Sequence, residues 1–529
     1  MLQSIAHSIL GLKKQKHCFA NLQEQLSDIS TNAGLKVLFW DTGGFHSIFE
    51  RNLLLLTALK ARGHDCQIIL EDGTASASMS RSVQENLPLN QWASTEKSVA
   101  KKIFNLAKLY KQDFSTSRIF ISAKELMDID LIARNVPKDR ILDYKYEGIN
   151  VGQIAASSAI RYYKGFIIEL NDLLKYEEVL RKFFYASLVN TRVAANALES
   201  IQPDTVITSH GVYCDYAPIT KIAKKKKKTI VCWCSGHEKG HYFFTIPKGI
   251  EKLQLRRITN NSWNKIKKAP LTKNQKNKLF AYLEKRYADD STAIDMPHAP
   301  LKNFNLKSDK PRACIFTHIS WDSSTDMAST VFSNSNEWLI KTIDHMVKND
   351  QVSWYIRVHP GEITDGSQYP ASQLIKEKYP ILPDHIKVWW HDDNINTWDI
   401  LQTIDVGITI FGTIGMELTS LGKNVITAGE GHYGNKGFTI DSKSEAEYYN
   451  NLNKIPKLKP LINEKIILAQ KYAHSYFLER QVNLDFFGTD SHWNTFDCNK
   501  LKNIFPGKDK ILDKVCTSIV NNKDVILST

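Results

Sequence analysis

A strand, a glycine turn, a helix and a second strand follow one another between residues 35 and 73, and this order constrains the fold most. Leu35–Trp40 is an apolar run of strand length, and Gly43 and Gly44 lie in the turn after it. Glu50–Lys60 has the apolar pattern of a buried helix, and Cys66–Leu70 is a second apolar run. Two strands joined through a helix need a crossover connection, so this unit predicts a parallel sheet.

The alternation continues and then restarts in the second half of the chain. Arg118–Ser122 is an expected strand of the first series, and Arg312–Thr317, Val352–Val358 and Asp405–Phe411 are expected strands of the second. We therefore predict an α/β fold with two Rossmann-like parallel-sheet domains facing a cleft. The expected organisation is an N-terminal helical extension (1–33), a first Rossmann-like domain (34–290), a linker (291–310), a second Rossmann-like domain (311–480) and a C-terminal helical tail (481–529).

The charge of the chain favours anionic partners. The formal net charge is +13, which suits nucleotide phosphates, acidic glycans or lipid headgroups. The run Lys224–Lys228 lies between a helical stretch and an apolar run, where a solvated turn is expected. Aromatic residues are not interleaved with these lysines as single-strand binding requires, so we predict no nucleic-acid partner.

Three features of the sequence predict a cytoplasmic location. No stretch is apolar over the ~20 residues of a membrane span, and the N-terminus lacks the pattern of a signal peptide. Its apolar residues have helical spacing, which predicts a helix packed on the body; a helix on the inner membrane surface is the alternative. The eight cysteines are scattered without a Cys-x-x-Cys pair, which indicates a reducing compartment and no disulfide framework.

The first motif of the second half follows the strand Val352–Val358. Arg357 and His359 can offer hydrogen-bond donors or charge to a phosphate. Pro360 stops the strand, and Glu362 follows within the same turn. Ligands of open parallel sheets bind beyond the carboxyl ends of strands, which is where this motif falls.

The second motif follows the strand Asp405–Phe411. Thr413 stands at the expected N-cap of a helix, between Gly412 and the segment Ile414-Gly415. The free N–H groups of that turn and its glycines suit a close approach to an anion. Glu417, in the first helical turn, can accept hydrogen bonds from a ribose diol. Either motif alone is an ordinary turn; together, on adjacent strand ends, they predict a nucleotide site.

These two motifs resemble the bacterial capsule polysaccharide biosynthesis proteins and their GT-B glycosyltransferase relatives, including sialyltransferases and Kdo transferases. The likeness covers roughly residues 310–480 and is weak in the first half. It implies a GT-B fold and a nucleotide-sugar co-substrate, with the donor phosphate at His359-Pro360 and at Gly412–Gly415. It does not show whether the donor is CMP-, UDP- or GDP-linked, and it does not identify the sugar.

The first half is expected to supply the catalytic base and the acceptor site. Asp41 and His46 flank the Gly43-Gly44 turn, although a loop-capping carboxylate and a surface histidine give the same pattern. Asp72 lies in Glu71-Asp72-Gly73, which resembles the acidic motif that supplies the base in the same sialyltransferases and Kdo transferases. The alternative interpretation of this triplet is an ordinary Asp-Gly turn. His210 and Asp215 are expected to line the cleft on the acceptor side.

The segment His237-Glu238-Lys239-Gly240-His241 matches the zinc-protease pattern His-Glu-x-x-His. That chemistry needs a helix that places both histidines on one face, whereas this segment follows an apolar strand and contains a glycine. We therefore predict no metal site here. The absence of a phosphate-binding P-loop motif and of a strand-end Asp-x-Asp agrees with a metal-independent transferase.

The motifs and the resemblance together predict a glycosyltransferase that moves a sugar from a nucleotide-sugar to an oligosaccharide or lipid-linked glycan of the capsule or lipopolysaccharide type. An inverting transfer is preferred, and a retaining transfer stays open. Two alternatives stay open. A sugar-nucleotide epimerase has the same fold, and a non-catalytic polysaccharide-binding or export protein could retain it.

Overall fold

The structure is a computed structural model of the 529-residue chain. For residues 2–14 and 82 the structure describes the backbone alone. Of the expected linker, residues 291–305 lie outside the described part. The described residues are 2–31, 33–82, 87–167, 170–246, 255–288, 306–322, 330–487 and 496–528.

Two large sheets and one short hairpin contain the described strands. The strands of the first half are β1 (Lys36–Asp41), β2 (Asp65–Leu70), β3 (Ser115–Thr116), β4 (Lys145–Tyr146), β5 (Ile149–Asn150), β6 (Thr205–Ser209), β7 (Thr229–Ser235) and β8 (His241–Thr245). Those of the second half are β9 (Arg312–Phe316), β10 (Ser353–Arg357), β11 (Ile386–Trp389), β12 (Val406–Thr409), β13 (Asn424–Thr427), β14 (Ile440–Asp441) and β15 (Val482–Asn483).

The helices lie between these strands in the alternation that the sequence predicts. In the first half they are α1 (Leu2–Ser27), α2 (His46–Lys60), α3 (Trp92–Leu109), α4 (Ala123–Asn135), α5 (Val151–Tyr163), α6 (Glu177–Ile201), α7 (Tyr213–Lys225), α8 (Asn260–Lys268) and α9 (Lys273–Ala288). In the second half they are α10 (Ser335–Val347), α11 (Gly361–Thr364), α12 (Ala371–Lys378), α13 (Thr397–Thr403), α14 (Ile414–Ser420), α15 (Glu445–Asn453), α16 (Asn463–His474) and α17 (Lys510–Val520).

The first sheet has the strand order β15-β8-β7-β6-β1-β2-β3. The five strands from β7 to β3 are parallel, whereas β8 and β15 join the edge antiparallel. Val37, Leu38 and Phe39 of β1 are all buried, because helices cover both faces of a parallel sheet. This half therefore has a Rossmann-like centre with an antiparallel edge.

The second sheet has the order β11-β10-β9-β12-β13-β14, and all its pairings are parallel. Its order reverses between β9 and β12, so the carboxyl ends of β9, β10 and β12 meet at a switch point where ligands bind in such folds. Two Rossmann-like halves of this kind form a GT-B fold, and the predicted fold class is confirmed.

The chain after the second sheet returns to the first half. β15 pairs with β8, and α17 packs against α2, so the expected helical tail begins with a strand of the first sheet. Helices α8 and α9 pack against α16. Trp263 of α8 contacts the ring of Tyr472 in α16 at a centroid distance of 5.4 Å. This helical layer joins the two halves.

One local expectation is wrong. Arg118–Ser122 is not a strand: residues 117–120 form a 3-10 turn, and Ser122 caps α4 by accepting the Glu125 backbone N–H. The cysteine pattern indicates no disulfide framework, and the structure has one disulfide among the described residues, between Cys18 of α1 and Cys498 near the C-terminus. Sequence spacing could not reveal that pair, because 480 positions separate its members.

None of the helices within the described ranges is long and apolar enough to span a bilayer.

Candidate functional site

Two adjoining pockets lie between the halves. The motif pocket, of about 310 Å³, holds both second-half motifs and also Arg256 and Arg286. The bridging pocket, of about 330 Å³, is lined from the first half by Met79, Arg161 and His210. The motif pocket therefore lies over the switch point of the second sheet, and the bridging pocket connects it to the first half.

His359 lines the motif pocket at the end of β10. Its backbone N–H donates to Thr317 Oγ1 at 2.8 Å, and the Gly361 N–H donates to its Nδ1 at 3.1 Å. Burial, with His318 and Arg357 acting in the same direction, lowers the pKa of His359 to about 3. The ring is therefore neutral at pH 7 and carries its proton on Nε2, so it offers a hydrogen bond rather than the charge that the sequence also allowed.

Arg357 lines the same pocket beside His359. Its Nη1 donates to the Trp390 carbonyl at 2.6 Å and its Nη2 to the Ile395 carbonyl at 3.2 Å. Its Nε is buried without a hydrogen-bond partner among the described residues. The guanidinium is thus fixed by two carbonyls at the wall of the motif pocket.

Gly412, Thr413 and Ile414 also line the motif pocket. Thr413 occupies the N-cap of α14 as predicted, but its side chain makes no capping hydrogen bond. Gly415 does not line either pocket: a Cβ at this position would lie 2.2 Å from the Tyr433 hydroxyl. The glycine therefore serves close packing against Tyr433 rather than ligand approach.

Glu417 is buried on the floor of the motif pocket. Its carboxylate accepts a hydrogen bond from the Tyr287 hydroxyl and lies 3.8 Å from Arg286 Nε. Both partners belong to α9, the last helix of the expected first domain. The carboxylate is thus held in place, with acceptor capacity for a ligand hydroxyl.

Not every residue of the second-half motifs lines a pocket. Pro360 lines the motif pocket, but Glu362 lines neither pocket and is buried beneath α12. Its Oε1 accepts the Ala371 backbone N–H at 2.8 Å, and burial raises the pKa of its carboxyl to about 7. Glu362 thus contacts the N-terminus of α12 rather than the expected ligand position.

The first-half base candidates Asp41 and His46 line neither pocket. Asp41 is buried and accepts a hydrogen bond from Asn52 Nδ2 at 3.0 Å; burial raises its pKa to about 7. The pKa of His46, at the start of α2, is lowered by burial and by Lys102. The turn between them packs against Tyr216, since a Cβ on Gly43 would lie 1.9 Å from that hydroxyl.

Asp72 also lies away from both pockets. Its carboxylate accepts hydrogen bonds from the Thr74 N–H at 3.2 Å and from the Arg118 N–H at 3.1 Å. The neighbouring Glu71 accepts from the Ala75 N–H at 2.8 Å. Both acidic side chains of this triplet therefore stabilise loops, which matches the turn alternative.

The two acceptor-side candidates have separate environments. His210, at the end of β6 with φ 51°, lines the bridging pocket, and burial lowers its pKa to about 4. Asp215 is buried under that pocket, where its Oδ2 accepts the Met79 backbone N–H at 2.6 Å. Asp215 thus holds a wall residue and does not itself line the pocket.

The zinc-protease pattern is split by a hairpin. His237 lies in the turn between β7 and β8, lines the motif pocket, and its Nε2 is 2.9 Å from the Tyr476 hydroxyl. His241 begins β8 and lies 3.9 Å from Glu238. The predicted non-helical setting is confirmed. In the described segments no three His, Cys, Asp or Glu side chains are grouped to hold a metal ion.

Sequence reasoning missed several residues of these pockets. Arg286 is buried against Phe477, and its Nε lacks a hydrogen-bond partner within the described chain. No local motif marks it; only its place on the buried side of α9 does. His318 could have been found, because it follows β9 just as His359 follows β10. Asp322 lines both pockets.

The pockets combine neutral imidazoles with charged guanidinium groups. Burial lowers the pKa of His318 to about 4 and that of His237 and His432 well below the ordinary value. Positive charge near neutral pH therefore comes from the arginines, among them Arg256, which lines both pockets. Fixed arginines with neutral hydrogen-bond donors suit the binding of an anionic group.

No family model and no curated protein sequence matches the chain. Among solved structures, the KpsC β-Kdo 2,4 transferase of Thermosulfurimonas dismutans is 14% identical at a TM-score of 0.34, over 57% of this chain and 87% of that one. The UDP-GlcNAc 2-epimerase of Neisseria meningitidis, bound to UDP-GlcNAc, is 9% identical at a TM-score of 0.25, over 84% and 99%.

The glycosyltransferase SnogD of Streptomyces nogalater is 10% identical at a TM-score of 0.23, over 84% of this chain and 96% of that one. At these identities and TM-scores the likenesses identify no family. The GT-B assignment rests on the chain's own two sheets, their strand orders and the cleft between them.

Proposed function

We propose that this protein is a glycosyltransferase that transfers a sugar from a nucleotide-sugar donor to a glycan acceptor. The observation that carries the proposal is the clustering of three guanidinium groups, on Arg256, Arg286 and Arg357, with the neutral imidazole of His359 in one pocket at the switch point of a parallel sheet. Guanidinium groups bind phosphate oxygens through charge-assisted hydrogen bonds, and a neutral imidazole adds an N–H donor.

The donor phosphates lie against Arg286, Arg357 and the Nε2–H of His359 in this proposal. Glu417 accepts a hydrogen bond from the ribose, and the Gly412–Ile414 turn contacts the phosphate side. The arginines offset the negative charge that develops on the departing phosphate, so a metal ion is not required for that step. We expect chelators to leave the activity unchanged.

The acceptor enters through the bridging pocket. Its walls come from both halves, with Met79 and His210 on one side and Phe411 and His432 on the other. We propose a surface glycan of the capsule or lipopolysaccharide type, presented as an oligosaccharide or on a lipid. This part rests on the resemblance of the second-half motifs. We also propose a cytoplasmic location, with the N-terminal helix as the site of any peripheral contact with the inner membrane.

A binding screen followed by an acceptor screen tests the proposal. CMP-, UDP- and GDP-sugars are tested for thermal stabilisation, and those that bind are incubated with methyl glycosides and short oligosaccharides. We expect one donor class to stabilise the protein and to release its nucleotide only when an acceptor is present. Conversion of the donor without acceptor indicates an epimerase, and glycan binding without binding of any donor indicates a non-catalytic protein; either result contradicts the proposal.

A further inference from the structure

The two pockets meet at a junction formed by Arg256, His318, Asp322, Gly412 and Thr413, which line both. If the donor occupies the motif pocket and the acceptor the bridging pocket, the new glycosidic bond forms at this junction. A proton acceptor for the reaction must lie within hydrogen-bond reach of that point.

Among the described residues, His318 is the imidazole that lines both pockets. His237 and His359 line the motif pocket alone, whereas His210 and His432 line the bridging pocket alone. The earlier base candidates in the first half line neither. Position alone therefore separates His318 from the other histidines of the site.

The position of His318 is fixed by its neighbours. Thr317, directly before it, accepts the His359 backbone N–H at 2.8 Å, so the two strand-end loops are joined. The His318 ring packs edge-on against Phe411, with ring centroids 4.4 Å apart. A side chain held in this way is already placed for proton transfer.

Asp322 supplies a carboxylate to the same junction and is held from the first half. Its Oδ1 accepts hydrogen bonds from Arg161 Nη1 at 2.7 Å and from the Tyr213 hydroxyl at 3.0 Å. Burial lowers the pKa of His318 to about 4, while Asp322 opposes that shift. Burial acts to raise the pKa of Asp322, but Arg161 and His318 are among the groups that lower it, and the net shift is downward. A neutral imidazole next to a carboxylate can accept a proton, and the carboxylate then stabilises the imidazolium.

We propose that His318 is the general base of the transfer and that Asp322 is its positioning residue; the inference rests on the proposed function. The imidazole takes the proton of the acceptor hydroxyl as that oxygen bonds to the anomeric carbon of the donor. The bond from that carbon to the phosphate oxygen breaks, and its electron pair leaves with the nucleotide. The proton on His318 then passes to solvent, which restores the neutral ring.

The test compares His318→Ala and His318→Gln with His385→Ala. His385 is a half-buried histidine of the second half outside both pockets, with its Nε2 at 2.9 Å from the Met346 carbonyl. Donor affinity and acceptor-dependent nucleotide release are measured separately, with the CMP-, UDP- or GDP-sugar and methyl glycoside that give turnover in the wild type. We expect release to fall about 10²- to 10⁴-fold in both His318 variants. Donor affinity stays within a few-fold of the wild type, and added imidazole restores part of the release by His318→Ala.

Asp322→Asn tests whether the carboxylate acts on the pKa of His318. The pH dependence of the rate measures this, because a purely structural role of Asp322 would not change it. Among the described residues, the charged and titratable groups around His318 and Asp322 include Arg161, Arg256, His210 and His359. Loss of the carboxylate lowers the pKa of His318, so the acid limb of the pH–rate profile should move to lower pH while the maximal rate falls.

Normal release by either His318 variant that binds donor overturns the assignment of the base. An unmoved acid limb in Asp322→Asn overturns the role of the carboxylate. Failure of every nucleotide-sugar to bind the wild type refutes the proposed function itself, which is a different result from a base variant that binds donor normally.

Discussion

The strand-end motifs of the two halves differ in whether they reach a pocket. In the second half His359, Thr413 and Glu417 meet in one pocket, whereas Asp41 and Asp72 of the first half lie in loops away from both pockets. All five follow or approach the carboxyl ends of parallel strands. A strand end is therefore not sufficient for a ligand site in this fold, because what covers the strand end decides whether a ligand can reach it.

Side-chain packing shows what covers the strand ends of the first half. Tyr216 packs onto the turn after β1, and the segment with Met79, held by Asp215, contributes to the pocket wall. In the second half the turns after β9, β10 and β12 stay open to the cleft. The first half thus presents later residues, such as Arg161 and His210, in place of its first two strand ends.

Among the variants that test the contrast between the two halves, the largest expected effect is on His359. His359→Ala removes a hydrogen bond to a charged phosphate, so the Kd for the nucleotide-sugar should rise about 10- to 100-fold. Isothermal titration of wild type and variant with the same donor measures the change. His385→Ala is the matched control and should bind donor normally; equal affinities for His359→Ala and His385→Ala would remove His359 from the donor site.

A smaller effect is expected on stability at Asp41. Burial raises its pKa to about 7 in the folded state from an ordinary value of 3.8. Protonation then favours folding, and this contribution is full below pH 3.8 and is lost as pH rises through about 7. Asp41→Asn should therefore reduce the fall in unfolding free energy between pH 6 and pH 8 by about 1 kcal/mol.

Urea unfolding of wild type and Asp41→Asn at both pH values checks this difference. The variant should also retain turnover, because Asp41 lines neither pocket. Abolished turnover with intact donor binding would return Asp41 to the list of bases and break the contrast between the halves.

The smallest expected effect is at Asp72. Asp72→Ala removes the acceptor of the Thr74 and Arg118 N–H groups and should cost about 1 kcal/mol of stability, with donor affinity and turnover unchanged. Thermal unfolding and nucleotide release measure the two properties on the same sample. A loss of turnover without a loss of stability would support the acidic-motif analogy over the turn.

The sequence predicts the two parallel sheets because their apolar strands and intervening helices are local patterns. It also places His359 and Thr413 together, since adjacent strand ends meet at a switch point. It misses Arg286, because nothing in a lysine-rich segment shows which cation turns inward. The Cys18–Cys498 pair and the return of β15 to the first sheet depend on contacts between distant parts of the chain.

The strand expected at Arg118–Ser122 fails for a different reason. Its apolar residues suit a strand, but Ser122 and Glu125 form a capping box that starts α4 at this point. Glu362 is a similar case, since its carboxylate accepts a hydrogen bond from the N-terminus of α12. In both places a helix start accounts for a residue that the pattern assigns to something else.

The most direct test of the account is a crystal structure of the protein with its nucleotide-sugar bound. We predict that the donor phosphates contact Arg286, Arg357 and His359, with the sugar directed toward His318 at the junction of the two pockets. A nucleotide bound instead at the Gly43-Gly44 turn of the first half, with the motif pocket empty, would contradict the account.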